Sequence, residues 1–97
     1  MLFRSVTVMP YSGTLKNLYI RIGATVSGSG NIVLTLMKNG VATAITITCT
    51  NADGNNYTKS DTTNTVSVVA GDLISIRGVN AGSASGTIVS TTLCLER

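Results

Sequence analysis

A chain of 97 residues with 43% hydrophobic and only 11% charged side chains, no His and no Trp makes one domain and is too apolar for a disordered tail; without His it lacks the base that Ser/His and Cys/His nucleophiles need. The net charge of +3 comes from Arg4, Lys16, Arg21, Lys38, Lys59, Arg77 and Arg97 against Asp53, Asp61, Asp72 and Glu96. No two cations adjoin and the aromatics are only Phe3, Tyr11, Tyr19 and Tyr57, so no nucleic-acid surface is expected.

No apolar run of about 18 residues suits a transmembrane helix. Residues 1–5 lack the cationic-then-apolar order of a signal peptide. The expectation is no membrane partner and assembly in the cytoplasm. Nearly every segment alternates Val, Ile, Leu and Thr and is broken by Gly, Asn and Ser. That pattern predicts seven or eight strands with no substantial helix, in a single β-sandwich domain over 1–97, with 1–9 as an N-terminal strand or arm and 10–97 as the module proper.

The first strand is predicted from Leu2 to Met9, ended by Pro10 and Ser12-Gly13. The second, Thr14 to Ile22, puts Leu18, Ile20 and Ile22 on one face and Asn17, Tyr19 and Arg21 on the other. The segment 27–31 (Ser-Gly-Ser-Gly-Asn) reads as a flexible loop. Ile32 to Lys38 and Val41 to Thr50 then flank Asn39-Gly40, the strongest hairpin signal in the chain, because both central positions of a type I′ turn need positive φ. In the second arm Ile45, Ile47 and Cys49 share one face, and Ala44, Thr46, Thr48 and Thr50 the other.

Residues 51–64 form the longest polar stretch and read as a surface loop with room for a short strand. Asp53 and Asp61 lie in it, but the spacing and terminal Glu of an EF-hand loop do not, so no metal or cofactor is expected. Thr65 to Ala70 is a strand with Val66 and Val68 on one face. Gly71-Asp72 makes a tight turn into Leu73 to Val79, where Ile74 and Ile76 face inward. Residues 80–86 read as a second small-residue loop. Thr87 to Leu95 closes the chain, with Val89, Leu93 and Leu95 on one face and Ile88 and Cys94 on the other.

Chemistry is sparse. Cys49 and Cys94 each sit in an apolar run and read as free, buried thiols acting as small hydrophobes; a disulfide is the lesser reading, and two Cys without His do not suit zinc. Asp72 after Gly71 reads as a turn-forming residue that bonds its own backbone. Gly28-Ser29-Gly30 precedes a strand, not a helix, so it does not cradle phosphate. No catalytic residue emerges, and an enzyme is not expected.

Two strands are apolar on both faces, Ile32 to Met37 and Thr87 to Leu95, where a sheet with one wet face alternates more cleanly. A neighbouring subunit is the simplest cover, which nominates Val33, Met37, Val89, Leu93 and Leu95 as a subunit interface. Loops folded over an outer sheet are the alternative.

The order Ser12-Gly13-Thr14-Leu15-Lys16-Asn17-Leu18-Tyr19, then Lys38-Asn39-Gly40, then a Thr-rich strand ending at Cys49, then residues 61–68 (Asp-Thr-Thr-Asn-Thr-Val-Ser-Val) and Ala70-Gly71-Asp72-Leu73-Ile74-Ser75-Ile76 resembles the small trimeric jelly-roll modules of bacteriophage structural proteins and bacterial surface-fibre tips. Those modules are similar in build to tumour necrosis factor and C1q heads. The likeness spans about Tyr11 to Leu95, and its most specific pieces are the Asn39-Gly40 hairpin and the Gly71-Asp72 turn. It implies an all-β, jelly-roll-like antiparallel β-sandwich and a non-enzymatic virion homotrimer.

Because the module begins within about ten residues of Met1, with no room for a shaft, the resemblance further implies a decoration (cement) protein. Such a protein clasps the major capsid protein from outside the capsid, with Leu2, Phe3, Val6 and Val8 as the capsid or subunit contact. The alternative is a receptor- or glycan-binding fibre head, with loops 27–31, 51–64 and 80–86 at its tip and Tyr57 as a stacking aromatic.

Overall fold

The computed structural model describes residues 6–27, 30–50, 53, 57–82 and 85–97, and among these the side chains of all but 23–27, 30, 80–82 and 85–90. Eight strands follow one another: β1 Val6–Val8, β2 Gly13–Ser27, β3 Gly30–Lys38, β4 Val41–Thr50, β5 Tyr57–Asp61, β6 Val66–Val68, β7 Leu73–Gly82 and β8 Ser85–Glu96. One sheet has the order β1-β7-β3-β4. In the other, β2 is central, with β8 along one side and β5 and β6 in tandem along the other. Every pairing is antiparallel, and the two sheets form an eight-stranded sandwich. There is no α-helix among the described residues.

The core is made by period-two alternation. Leu18, Ile20 and Ile22 of β2 meet Ile32, Leu34 and Leu36 of β3 and Ile45, Ile47 and Cys49 of β4, all buried. Across the β3–β4 ladder Ile32 pairs with Cys49 and Leu34 with Ile47. Each fully buried Leu or Ile contributes about 1.5–3 kcal/mol relative to exposure. The faces expected for β2 and β4 are the observed ones.

Register shifts interrupt the ladders, and two of them bear on the core. On β2, Lys16 pairs with Cys94 but Tyr19 with Thr92, so β2 carries one extra residue. Asn17 takes it up with a φ of 54°, a conformation Asn tolerates better than most residues. The bulge lets both Leu15 and Leu18 point into the core. On β4 the pairing jumps from Thr35–Thr46 to Met37–Ala42. Thr43 stitches this gap: its Oγ1 donates to the Leu36 carbonyl (2.7 Å) and accepts from Ile45 N–H (3.3 Å).

Several expectations need correction. The small-residue stretches at 27–31 and 80–86 are largely strand: Ser27 pairs with Ser85, Gly30 with Gly82 and Asn31 with Ala81. Ladders bond backbone groups, so small polar residues extend a sheet wherever a partner strand runs alongside. Only 28–29 and 83–84 separate these strands, and they lie outside the described residues. The first strand is described only over Val6–Val8; the expected contact residues Leu2 and Phe3 lie outside the described residues.

The closing strand does not alternate evenly. Arg21 pairs with Ser90 but Ile22 with Ile88, so the strand carries one extra residue, Val89, at that point. Cys94 is exposed rather than buried. It lies opposite Lys16, between the two leucines that pack on the core.

Candidate functional site

The two sides of the sandwich are finished differently. β4 ends one sheet, and β5 lies at the corresponding side of the other. Asp61 of β5 accepts from Thr46 N–H on β4 (3.1 Å), and Lys59 Nζ donates to the Thr48 carbonyl (2.6 Å). Asp61 is buried and also accepts from Thr63 N–H, Asn64 N–H and Asn64 Nδ2 at 2.9–3.1 Å. Burial alone would raise its pKa, but the bonds from Asn64, Thr46 and Thr63 outweigh that and hold it below the usual carboxylate range.

Asp53 belongs to the same seam. It binds Lys59 Nζ (2.8 Å), Thr50 N–H (2.8 Å) and the Tyr57 hydroxyl (3.4 Å). The Lys59 bond, then the Thr50 bond, lower its pKa. Burial, then the neighbouring Cys49 thiol, push the Tyr57 hydroxyl up, and burial likewise raises Cys49. These side chains cap the outer strand of the sheet and leave its edge little free to pair.

The opposite side is open. β1 and β8 are the outer strands there, each with one ladder among the described residues. Between them lies a cleft of about 390 Å³ whose walls include Met9, Leu15, Leu36, Ile76, Leu93 and Leu95. Four hydroxyl side chains, Thr7, Ser75, Thr91 and Thr92, join them, and no ionisable group lines it. Leu93, Leu95 and Ile76 are only half buried. Val6 and Val8, on the border strand, are 56% and 59% exposed. What this side offers is apolar surface beside strand edges that carry no second ladder among the described residues.

At one end the two turns singled out from the sequence meet. Asn39 and Gly40 have φ of 52° and 81°, and Gly71 has 92°. The Asn39 carboxamide donates from Nδ2 to Asp72 Oδ1 (3.0 Å) and accepts from Leu73 N–H at Oδ1 (2.9 Å). Asn39 N–H donates to the Leu73 carbonyl (2.7 Å). Asp72 Oδ2 accepts from Val69 N–H (2.9 Å), which, with the Asn39 bond, lowers its pKa. Lys38 stands 3.9 Å from the same oxygen and donates to the Ser67 carbonyl. Met9 bonds the Gly71-Asp72 backbone through both its N–H and its carbonyl, tying the end of β1 to the cluster.

The sequence-nominated residues are therefore scattered. Leu93 and Leu95 line the cleft; Val6 and Val8 flank Thr7 on β1, and of these three only Thr7 is among its walls. Met37 is already buried by its own chain, and Val33 is half buried. The side chain of Val89 lies outside those described. Tyr57 is half buried and bonded to Asp53 rather than free for stacking. Sequence reasoning missed the capping role of Asp61 and Lys59, because the partners are backbone groups of β4. It also missed Met9, Leu15 and Ile76 as cleft walls, since each reads simply as core. No family model, no curated protein and no solved structure matches the chain.

Proposed function

We propose that this chain is a non-enzymatic structural module that packs against copies of itself and against a larger surface, in the specific form of a homotrimeric decoration protein on the outside of a bacteriophage capsid. The observation that carries this reading is the asymmetry of the sandwich: one side is capped by Asp61 and Lys59, while the other leaves an apolar cleft between the outer strands β1 and β8. Unpaired strand edges beside apolar surface are templates for association with another chain. The total accessible surface, 5165 Å², is close to the roughly 5200 Å² that a compact monomer of this mass exposes. The position of the apolar surface, not its amount, therefore supports assembly.

A trimer touching several capsid subunits at once gains avidity, because its second and third contacts are effectively intramolecular. The partner of that surface is then the major capsid protein, and the site of action is the virion surface after assembly in the host cytoplasm. The fibre-head alternative draws less support, because its one candidate stacking aromatic, Tyr57, is held by Asp53. The test is sedimentation of the purified protein, alone and mixed with capsids built from the major capsid protein of the same genome. A trimer that pellets with capsids is expected. A monomer that stays in the supernatant overturns the proposal.

A further inference from the structure

Asn39-Gly40 is the one Asn-Gly pair in the chain. It sits in an exposed turn where Gly40 carries no side chain to obstruct its own nitrogen. That pairing is the one least hindered toward intramolecular deamidation, one of the routes that make Asn thermolabile. Yet both ends of the Asn39 carboxamide are occupied, by Asp72 and by Leu73 N–H. We propose that Asn39 is a spontaneous modification site held shut by Asp72, and that its conversion to aspartate or isoaspartate opens the turn cluster.

The step balances without any redox partner. The deprotonated Gly40 backbone nitrogen attacks Asn39 Cγ, an N–C bond forms, the Cγ–Nδ2 bond breaks and ammonia leaves. Water then opens the cyclic imide at either carbonyl, giving aspartate or isoaspartate. For Cγ to swing toward Gly40 N, the carboxamide must release both of its bonds, so the cluster slows the attack in the folded chain.

The product cannot re-form the cluster. An aspartate in place of Asn39 would set a carboxylate oxygen where Nδ2 now donates, 3.0 Å from Asp72 Oδ1, and two carboxylates at that distance repel. Isoaspartate adds a backbone methylene to a two-residue turn and shifts its register. Met9 is tied to Gly71 and Asp72, so the loosened cluster frees the end of β1 beside the cleft.

The test has two independent arms. Folded protein, urea-unfolded protein and folded Asp72→Ala are incubated at pH 8 and 37 °C, and Asn39 deamidation is followed by mass spectrometry of tryptic peptide 39–59. We expect Asn39 to react about tenfold more slowly in the folded wild type than in either other sample, the effect of losing one or two net hydrogen bonds. Equal rates overturn the proposal. In the second arm, Asn39→Asp is expected to lower Tm by several degrees, and the double variant Asn39→Asp/Asp72→Asn to recover most of that loss, because the donor and acceptor are exchanged across the same bond. A single variant as stable as wild type, or a double variant no better than the single, overturns it equally.

Discussion

Asn39 donates from Nδ2 to Asp72 Oδ1 at 3.0 Å, joining two turns that lie 33 residues apart in sequence. Each residue also serves its own turn: Asn39 by accepting positive φ, Asp72 by binding Val69 N–H. One substitution at Asn39 therefore mixes two effects, and two substitutions separate them. Asn39→Gly keeps the φ of 52° without strain and loses only the side-chain bonds. Asn39→Ala loses the same bonds and adds about 1 kcal/mol for a left-handed Ala. The expected order of unfolding free energy in urea is wild type, then Gly, then Ala. Gly and Ala variants of equal stability would show that the turn relaxes out of its left-handed conformation.

Asp61 concentrates more backbone donors than any other side chain described. Asp61→Ala leaves Thr46, Thr63 and Asn64 N–H groups without their acceptor. An orphaned, partly buried donor costs about 1–3 kcal/mol, and solvent can reach some of these, so a total loss of about 3 kcal/mol is expected. Asp61→Asn keeps one acceptor oxygen and should lose roughly half as much. Chemical denaturation with an unchanged m-value reads both. A cost under about 0.5 kcal/mol for Ala, the range of ordinary surface changes, would mean that the seam between β4 and β5 carries little of the fold.

The sequence made some of this legible and hid the rest for physical reasons. The β4 faces could be read because nothing interrupts the alternation from Ala44 to Cys49. The Asn39-Gly40 and Gly71-Asp72 turns could be read because positive φ selects few residue types. Their meeting could not, since a turn signal is local and the Asn39–Asp72 bond is tertiary. The ladders through Ser27, Gly30, Gly82 and Ser85 were hidden because small residues mark loops when read one strand at a time. Leu15 and Leu18 could not share a face until Asn17 was seen as a bulge. Cys94 was misplaced because its neighbours Leu93 and Leu95 look like a buried run, whereas alternation sends the thiol outward.

The acid side of the stability profile follows from the carboxylates. Asp53, Asp61 and Asp72 all have lowered pKa values in the fold. As pH falls, the unfolded chain takes up protons first, near its ordinary carboxylate pKa of about 3.9, and stability is lost as pH continues down through the lower folded values. The contribution is fully present above that window. With no His in the chain, no side chain of unperturbed pKa titrates from pH 5 to 8. Thermal melts should thus be nearly flat from pH 5 to 7.5 and fall steeply below about pH 4. A midpoint of loss near pH 6 would contradict this account.

The two thiols should separate cleanly by reactivity. Cys94 is exposed and Cys49 is fully buried with its pKa raised by burial, and the thiolate is the reactive form. An aromatic disulfide reagent at pH 8 should label one thiol per chain in the native protein and two in urea. Peptide mapping should place the first label on Cys94. Prompt labelling of both without urea would mean that the β4 side of the core opens readily.

Strand β1 is the place to test the proposed assembly without harming the fold. Val8 is 59% exposed and pairs only with β7 through Leu73 among the described residues. Lys at this position changes stability by no more than about 0.5 kcal/mol, as exposed substitutions do, while a charge on an outer strand is a standard device against edge pairing. Ala44→Lys, on the exposed face of β4, adds the same charge on the capped side of the sandwich. If copies meet at the β1–β8 side, Val8→Lys should shift the protein to monomer in sedimentation with its melting temperature almost unchanged, and Ala44→Lys should leave the assembly intact. The reverse pattern would move the interface to the β4 face and detach the cleft from assembly.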